Sequence, residues 1–411
     1  MSKKIILLLV LSITVGSLSA LLVYLTTSNT LPGNEEARVQ QSIKDVEILT
    51  NRQASFDEFV SVFVTTARED GAVFAFNVLK NAELPFGLDS HLLAHSIGDI
   101  LYEQVGIKGM ALCTHDFRNA CSHTMVIGAL IEFGAQALPE IRKSCHSAPG
   151  GTGAYTMCFH GLGHGVLAFN SYDMPKTVAM CDKLGADEFD NLEAIECFGG
   201  AIMEMIGGGG HNQQMWELKR MESFSVDDPF GFCTKDFLPE KYRSICYTYM
   251  TPYAYEAFGA DMAQPTELIH KKVFELCSKI PSNQKKERKA CYGGQGKEFV
   301  GLAVGRNFVN HDVPSLESIQ KMYNWCALAK EPDGFQYCIE SVVDSLYWGG
   351  ENPYEGPIIF CNLETDGAVR TACFSKLTEN VGFYIDNVGY RTEYCEALPV
   401  ESLLDCRERL L

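Results

Sequence analysis

Histidine is the residue whose spacing in this chain could do chemistry. His91 and His95 stand four apart, as do His160 and His164, and that spacing puts two imidazoles on one face of a helix. His123 follows Cys121 by two residues, as His160 follows Cys158. If the helices that begin at these cysteines lie side by side, the second and sixth positions after each cysteine share a face. That face would carry His91 and His95, then His123 with Ile127, then His160 and His164, with Glu204 beside them. Imidazole suits zinc, iron or copper, and facing helices are a common way to build such sites. The set predicts one transition-metal ion in a His₄ site, or a dinuclear site bridged by Glu204. Metal-free acid–base work and plain packing in the core are the other readings of these imidazoles. His115, His146, His270 and His311 read as surface or packing residues.

Several reaction classes lack their signatures. No H-E-x-x-H, G-x-S-x-G or C-x-x-C occurs, which excludes zincin, hydrolase-elbow and thioredoxin-like readings. Gly207–Gly210 reads as a loop, because no Lys-Ser/Thr follows it as in a phosphate cradle. The formal net charge of -18 and the lack of clustered Lys/Arg argue against nucleic acid.

The elements that position the histidines are read from the cysteines. All 16 fall into successive near neighbours: Cys113/Cys121, Cys145/Cys158, Cys181/Cys197, Cys233/Cys246, Cys277/Cys291, Cys326/Cys338, Cys361/Cys373 and Cys395/Cys406. Each pair predicts one local disulfide stapling two helices, the second taking its cysteine in the first or second turn. Arginine stands three residues before the second cysteine at Arg118, Arg243, Arg288 and Arg370, and reads as an ion pair to the next repeat. Second cysteines recur every 33 to 49 residues, the period of a two-helix repeat. Ser55 with Glu58 forms a capping box for a helix running to about Arg68. A second helix covers Ala72 to Lys80, and Asp89 caps Ser90 to Gly106. Glycines 98, 128, 161, 163 and 165 would let these helices approach closely.

Residues Ile5 to Leu25 are almost wholly apolar and follow Lys3-Lys4. They predict a signal anchor over 1–26 with its N-terminus in the cytoplasm, a cleaved signal peptide being the alternative. With no cysteine near it, the segment is not read as a lipoprotein anchor. Residues 27–54 read as a polar spacer, part of it helical. Residues 55–411 form the extracytoplasmic domain, its His-rich part at 89–211 and plain scaffold repeats at 212–411.

His-x-x-Ala-His-x-Ile-Gly at 91–98, Cys-x-His at 121–123 and Cys-x-His-Gly-x-Gly-His-Gly at 158–165 resemble a group of exported, cysteine-paired, His-rich helical bacterial proteins of unknown function. The resemblance covers mainly residues 85–210. It implies a bacterial envelope setting and brings no activity or cofactor.

The expected fold is all-α: about eight disulfide-stapled hairpins forming a short α-solenoid or a closed α/α toroid, behind a transmembrane helix. The expected function is metal binding on the concave face, with an enzyme among its forms that activates water or dioxygen. A scaffold that binds a protein or glycan there is the alternative.

Overall fold

The computed structural model describes residues 32–114, 116–148, 151–184, 192–207, 213–261, 264–306, 313–365 and 367–411. The anchor at 1–26 lies outside them, as do His115, His211 and His311. Among the described residues every regular element is a helix and no strand occurs. The chain is all-α.

Helix α1 (Pro32–Asn51) corrects the spacer reading of residues 27–54 over most of its length. Its Val39, Ile43, Val46 and Leu49 are buried, and this one-sided apolar stripe seats it on the helices that follow. The polar surface that suggested a spacer is the solvent side of an amphipathic helix. Helix α2 (Phe56–Glu69) starts at Ser55 with both halves of the capping box in place. Helices α3 (Ala72–Asn81) and α4 (Ser90–Val105) form the first hairpin, which has no disulfide.

Every later hairpin carries its bridge, and all eight pairs are as the spacing predicts. Helix α5 (Asp116–Phe133) carries Cys121, bridged to Cys113. Helices α6 (Leu138–His146) and α7 (Gly151–Phe169) share Cys145–Cys158, and α8 (Met174–Cys181) and α9 (Leu192–Gly207) share Cys181–Cys197. After α10 (Gln213–Ser223) comes α11 (Glu240–Tyr249), whose Cys246 is bridged to Cys233. Beyond α12 (Thr251–Ala257), α13 (Glu267–Ser278) and α14 (Lys285–Ala303) share Cys277–Cys291. Cys326–Cys338 joins α15 (Leu316–Cys326) to α16 (Pro332–Tyr347). In the last two hairpins Cys361–Cys373 joins α17 (Glu355–Cys361) to α18 (Gly367–Tyr384), and Cys395–Cys406 joins α19 (Val388–Ala397) to α20 (Val400–Leu410).

The expected position of the second cysteine, in the first or second turn, is met: Cys121 comes just after the kink at Phe117–Asn119, and most of the others lie in the second turn. Cys373 and Cys406 both close the second turn of their helices, and Cys158 stands just after it. Two hairpins depart from the helix–helix expectation, because Cys113 and Cys233 belong to 3₁₀ turns at Gly106–Leu112 and Gly231–Thr234. Gly106 has φ 63°, and Pro229 with Gly231 interrupts the second stretch, so neither can extend as an α-helix.

The second helices stack in order: α4, α5, α7, α9, α11, α14, α16, α18 and α20 each pack on the next. Glycines set the spacing. A Cβ at Gly163 of α7 would stand 1.9 Å from the Cys197 carbonyl oxygen, and one at Gly200 of α9 would stand 1.8 Å from that of His160. Gly294 and Gly296 serve α14 in the same way against Thr251 and Cys338.

Two arginines behave as expected. Arg288 pairs with Asp333 at 3.1 Å and Arg370 with Glu401 at 3.2 Å, each on the next hairpin. The row also touches itself: α7 meets α18 and the Trp348–Gly350 turn, and the Gly87 amide donates to the Gly305 carbonyl at 2.8 Å. Among the described residues one stretch, Asp116–His146, is long and apolar enough to cross a membrane by composition, but it bends at Gly134–Ala137 and packs into the core.

Candidate metal centre

Asp89 caps α4 by accepting from the amides of His91 and Leu92 at 3.0 and 3.2 Å. That cap orients the first turn and aims His91 and His95 inward. His91 Nδ1 lies 2.6 Å from the Phe117 carbonyl oxygen. A carbonyl only accepts, so Nδ1 carries the proton and Nε2 presents its lone pair, as in second-shell control of a metal-bound imidazole. The carbonyl is held there by a strained turn: Phe117, Arg118 and Asn119 have φ of 57°, 54° and 62°. Three consecutive non-glycine residues in the left-handed region are costly, and such strain gathers at functional sites.

His95 Nε2 stands 3.1 Å from His91 Nε2. Two nitrogens on one tetrahedral zinc, each at ~2.0–2.1 Å, would stand ~3.3 Å apart. His123, from α5, closes the set: one ligand nitrogen from each of His91, His95 and His123 lies within 4.8 Å of the others. His123 is only 2% exposed, and neither ring nitrogen has a hydrogen-bond partner among the described residues. Two lone buried ring nitrogens are expensive, and a metal ion would satisfy one of them.

The other expected ligands line the same cavity, of about 270 Å³, but stand further back. His164 Nδ1 is 3.1 Å from Glu204 Oε2, leaving the buried Nε2 without a partner among the described residues. Glu204 also accepts from the Tyr172 hydroxyl at 3.3 Å. The structure places the Glu204 carboxylate against His164, where it orients the imidazole. His160 Nε2 faces Met203 Sδ at 3.1 Å. Its Nδ1 is 3.3 Å from Glu196 Oε2 but out of line for a hydrogen bond. The rings of His160 and His164 are centred 5.8 and 6.0 Å from that of His123. Burial holds His91, His123 and His160 below the usual imidazole range, helped for His123 and His160 by crowding with neighbouring imidazoles. Neutral imidazole is the form a metal needs. His146 stacks on Tyr155, and buried His270 bonds the Tyr255 hydroxyl; both are packing residues as expected.

The C-terminal half is more than scaffold, since it supplies the cavity's charged wall. Lys297 and Arg306 pair with Glu298 at 3.1 and 3.2 Å. Burial works against ionisation of Glu298, yet these cations hold its carboxyl down at about 2. Arg118 stacks on Trp348 at 4.0 Å, and burial lowers its guanidinium to about 10. Among the wall's acids and bases, Asp89, Glu204 and Glu298 balance Arg118, Lys297 and Arg306. Lys297 and Glu298 stand six and seven residues after Cys291, the register of His164 and Glu204, so that register was the signal for them. Met203, six after Cys197, carried the same signal, and Trp348 had none.

Fold and site define a class: a disulfide-stapled all-α protein with a buried histidine cluster. The chain matches no protein-family model, no curated protein and no solved structure.

Proposed function

We propose that this is a membrane-anchored extracytoplasmic metal-binding protein, its hairpins arranged as a short α-solenoid curled toward a toroid. The carrying observation is buried His123, whose two ring nitrogens have no partner among the described residues, facing the 3.1 Å His91–His95 pair. His91, His95 and His123 hold the ion, and His164, oriented by Glu204, supplies the fourth nitrogen. Zinc, iron and copper all fit an imidazole set. Eight disulfides fit an oxidising compartment. With the wall charges already balanced, a divalent ion leaves the cavity positive. Hydroxide or an anionic group would offset part of that charge, which supports a metal that activates water. The single-pass topology and the bacterial envelope setting belong to the same proposal.

The test is elemental analysis of the full chain exported through an oxidising compartment. We expect about one equivalent of a transition metal, absent from His91→Ala/His123→Ala. Glu204→Gln should keep the fold and weaken metal affinity about 10–100-fold, as loss of a second-shell carboxylate does. Fully oxidised, folded protein that stays metal-free after supplementation would overturn the proposal and favour the scaffold.

A further inference from the structure

A larger chamber of about 620 Å³ lies beside the histidine cavity and shares Met157, Tyr249, Lys297 and Trp348 with it as a common wall. No histidine lines it. Its volume falls in the range of small-molecule sites, about 300–1,000 Å³. The third hairpin and the turn after the seventh meet at its floor, where a Cβ at Gly153 would stand 2.9 Å from the Gly349 carbonyl oxygen. Glycine backbone there keeps the chamber open.

The fixed charges of this wall are matched except at Glu196, whose buried Oε2 stands 3.3 Å from His160 Nδ1 without a hydrogen bond among the described residues. Asp344 accepts from Asn380 at 2.7 Å and pairs with Lys376 at 3.3 Å. Lys297 pairs with Glu298 at 3.1 Å. Glu351 accepts from the Arg118 amide at 2.9 Å, and the attraction between Glu351 and the Arg118 guanidinium links them further. At the rim, Asp386 lies 3.7 Å from Arg391. An ionic ligand would have to displace one of these pairs or remain uncompensated in a half-enclosed site. A neutral ligand costs none of them.

The wall still offers hydrogen bonds. The hydroxyls of Thr156 and Ser341 donate to carbonyls at 2.9 and 2.6 Å, which leaves their lone pairs for a ligand that donates. The buried Trp348 indole N–H has no partner among the described residues. Tyr249, Trp348 and Tyr384 add flat rings. Apolar faces beside acceptors and a lone donor suit a molecule with C–H faces and a rim of hydroxyls.

We infer that this chamber binds a neutral sugar of two or three residues. The inference stands apart from the metal site, because the chamber has no ligand histidine.

The test is calorimetric titration of the full chain with maltotriose, triacetylchitotriose and xylotriose, with choline and citrate as charged probes. At least one trisaccharide should saturate a single site and change tryptophan emission. That change should vanish in Trp348→Phe, although Trp216 and Trp325 remain. Tyr384→Ala should weaken binding about tenfold, the effect of losing one ring contact. His91→Ala/His123→Ala should bind sugar unchanged, so failure of the metal proposal leaves this result standing. If Tyr384→Ala does not fold, the conservative Trp348→Phe decides. Binding of choline or citrate alone, or of no probe, would overturn the inference. So would sugar binding that survives Trp348→Phe undiminished or is lost in the histidine variant.

Discussion

At the scale of single residues, the histidine cluster is a set of imidazoles kept neutral by burial. His91, His123 and His160 are held below the ordinary 6.5. As pH falls below that value, the unfolded chain takes up protons that the folded one refuses. Metal-free stability is therefore full above about pH 6.5 and declines on acidification, by about 1.4 kcal/mol per pH unit for each such proton. Glu196 acts in the opposite sense. Burial raises its carboxyl to about 7, so its contribution is present below its ordinary 4.5 and is lost as pH rises through 7. With His270, which burial lowers to about 4, four imidazoles outweigh the three carboxyls that burial raises, those of Glu196, Asp99 and Asp344, between 4.5 and 6.5. Denaturant midpoints of metal-free protein should therefore be lower at about pH 5 than at about pH 7, and Glu196→Gln should widen the gap. A midpoint that rises on acidification would mean the folded imidazoles are charged.

At the scale of elements, close helix approach carries the site. Gly161 lets α7 lie against α5, since a Cβ there would stand 2.5 Å from the His123 ring. Gly163 and Gly200 do the same between α7 and α9. In an unconstrained helix, glycine to alanine stabilises by roughly 0.5–1 kcal/mol. Gly163→Ala should reverse that sign and destabilise by about 1–3 kcal/mol through overpacking. Gly207, with nothing within 4 Å of its would-be Cβ, is the control and should be near neutral. Chemical denaturation of the two variants separates the cases. Equal effects would mean the helices can move apart freely.

At the scale of the whole molecule, the bridges join residues 8 to 16 apart in sequence. Closing loops of this length restrains the unfolded chain by about 3 kcal/mol each in the entropy model. Peptide mapping under non-reducing conditions should recover the local pairs through to Cys361–Cys373 and Cys395–Cys406, and reductant should lower the melting temperature sharply. A pair that joins different hairpins would contradict the fold. Contacts between early and late hairpins put Arg118 on Trp348 and the Gly87 loop on Gly305. Both cavities depend on those contacts, because their walls mix early and late hairpins.

The disulfide pairing, the hairpins, the Ser55 and Asp89 caps and the glycine contacts were legible in the sequence, because each depends on residues close together along the chain. The histidine face was legible for a related reason: counting two and six residues from a cysteine repeats one helical register in every hairpin. The same count reaches Lys297 from Cys291 and Asp344 from Cys338, with Glu298 one residue further on, yet those side chains were read as scaffold. Their sequence distance from the histidines hides that they share a wall. That the helix in residues 32–51 packs on the domain was missed, because its apolar stripe is narrow within a polar segment. Which imidazoles close into a triad, which carboxylate turns to orient His164, and the existence of a second chamber were decided only by tertiary structure. The physical reason is that these depend on the angles at which helices cross and the array curls, and those angles sum packing over many residues far apart in the chain.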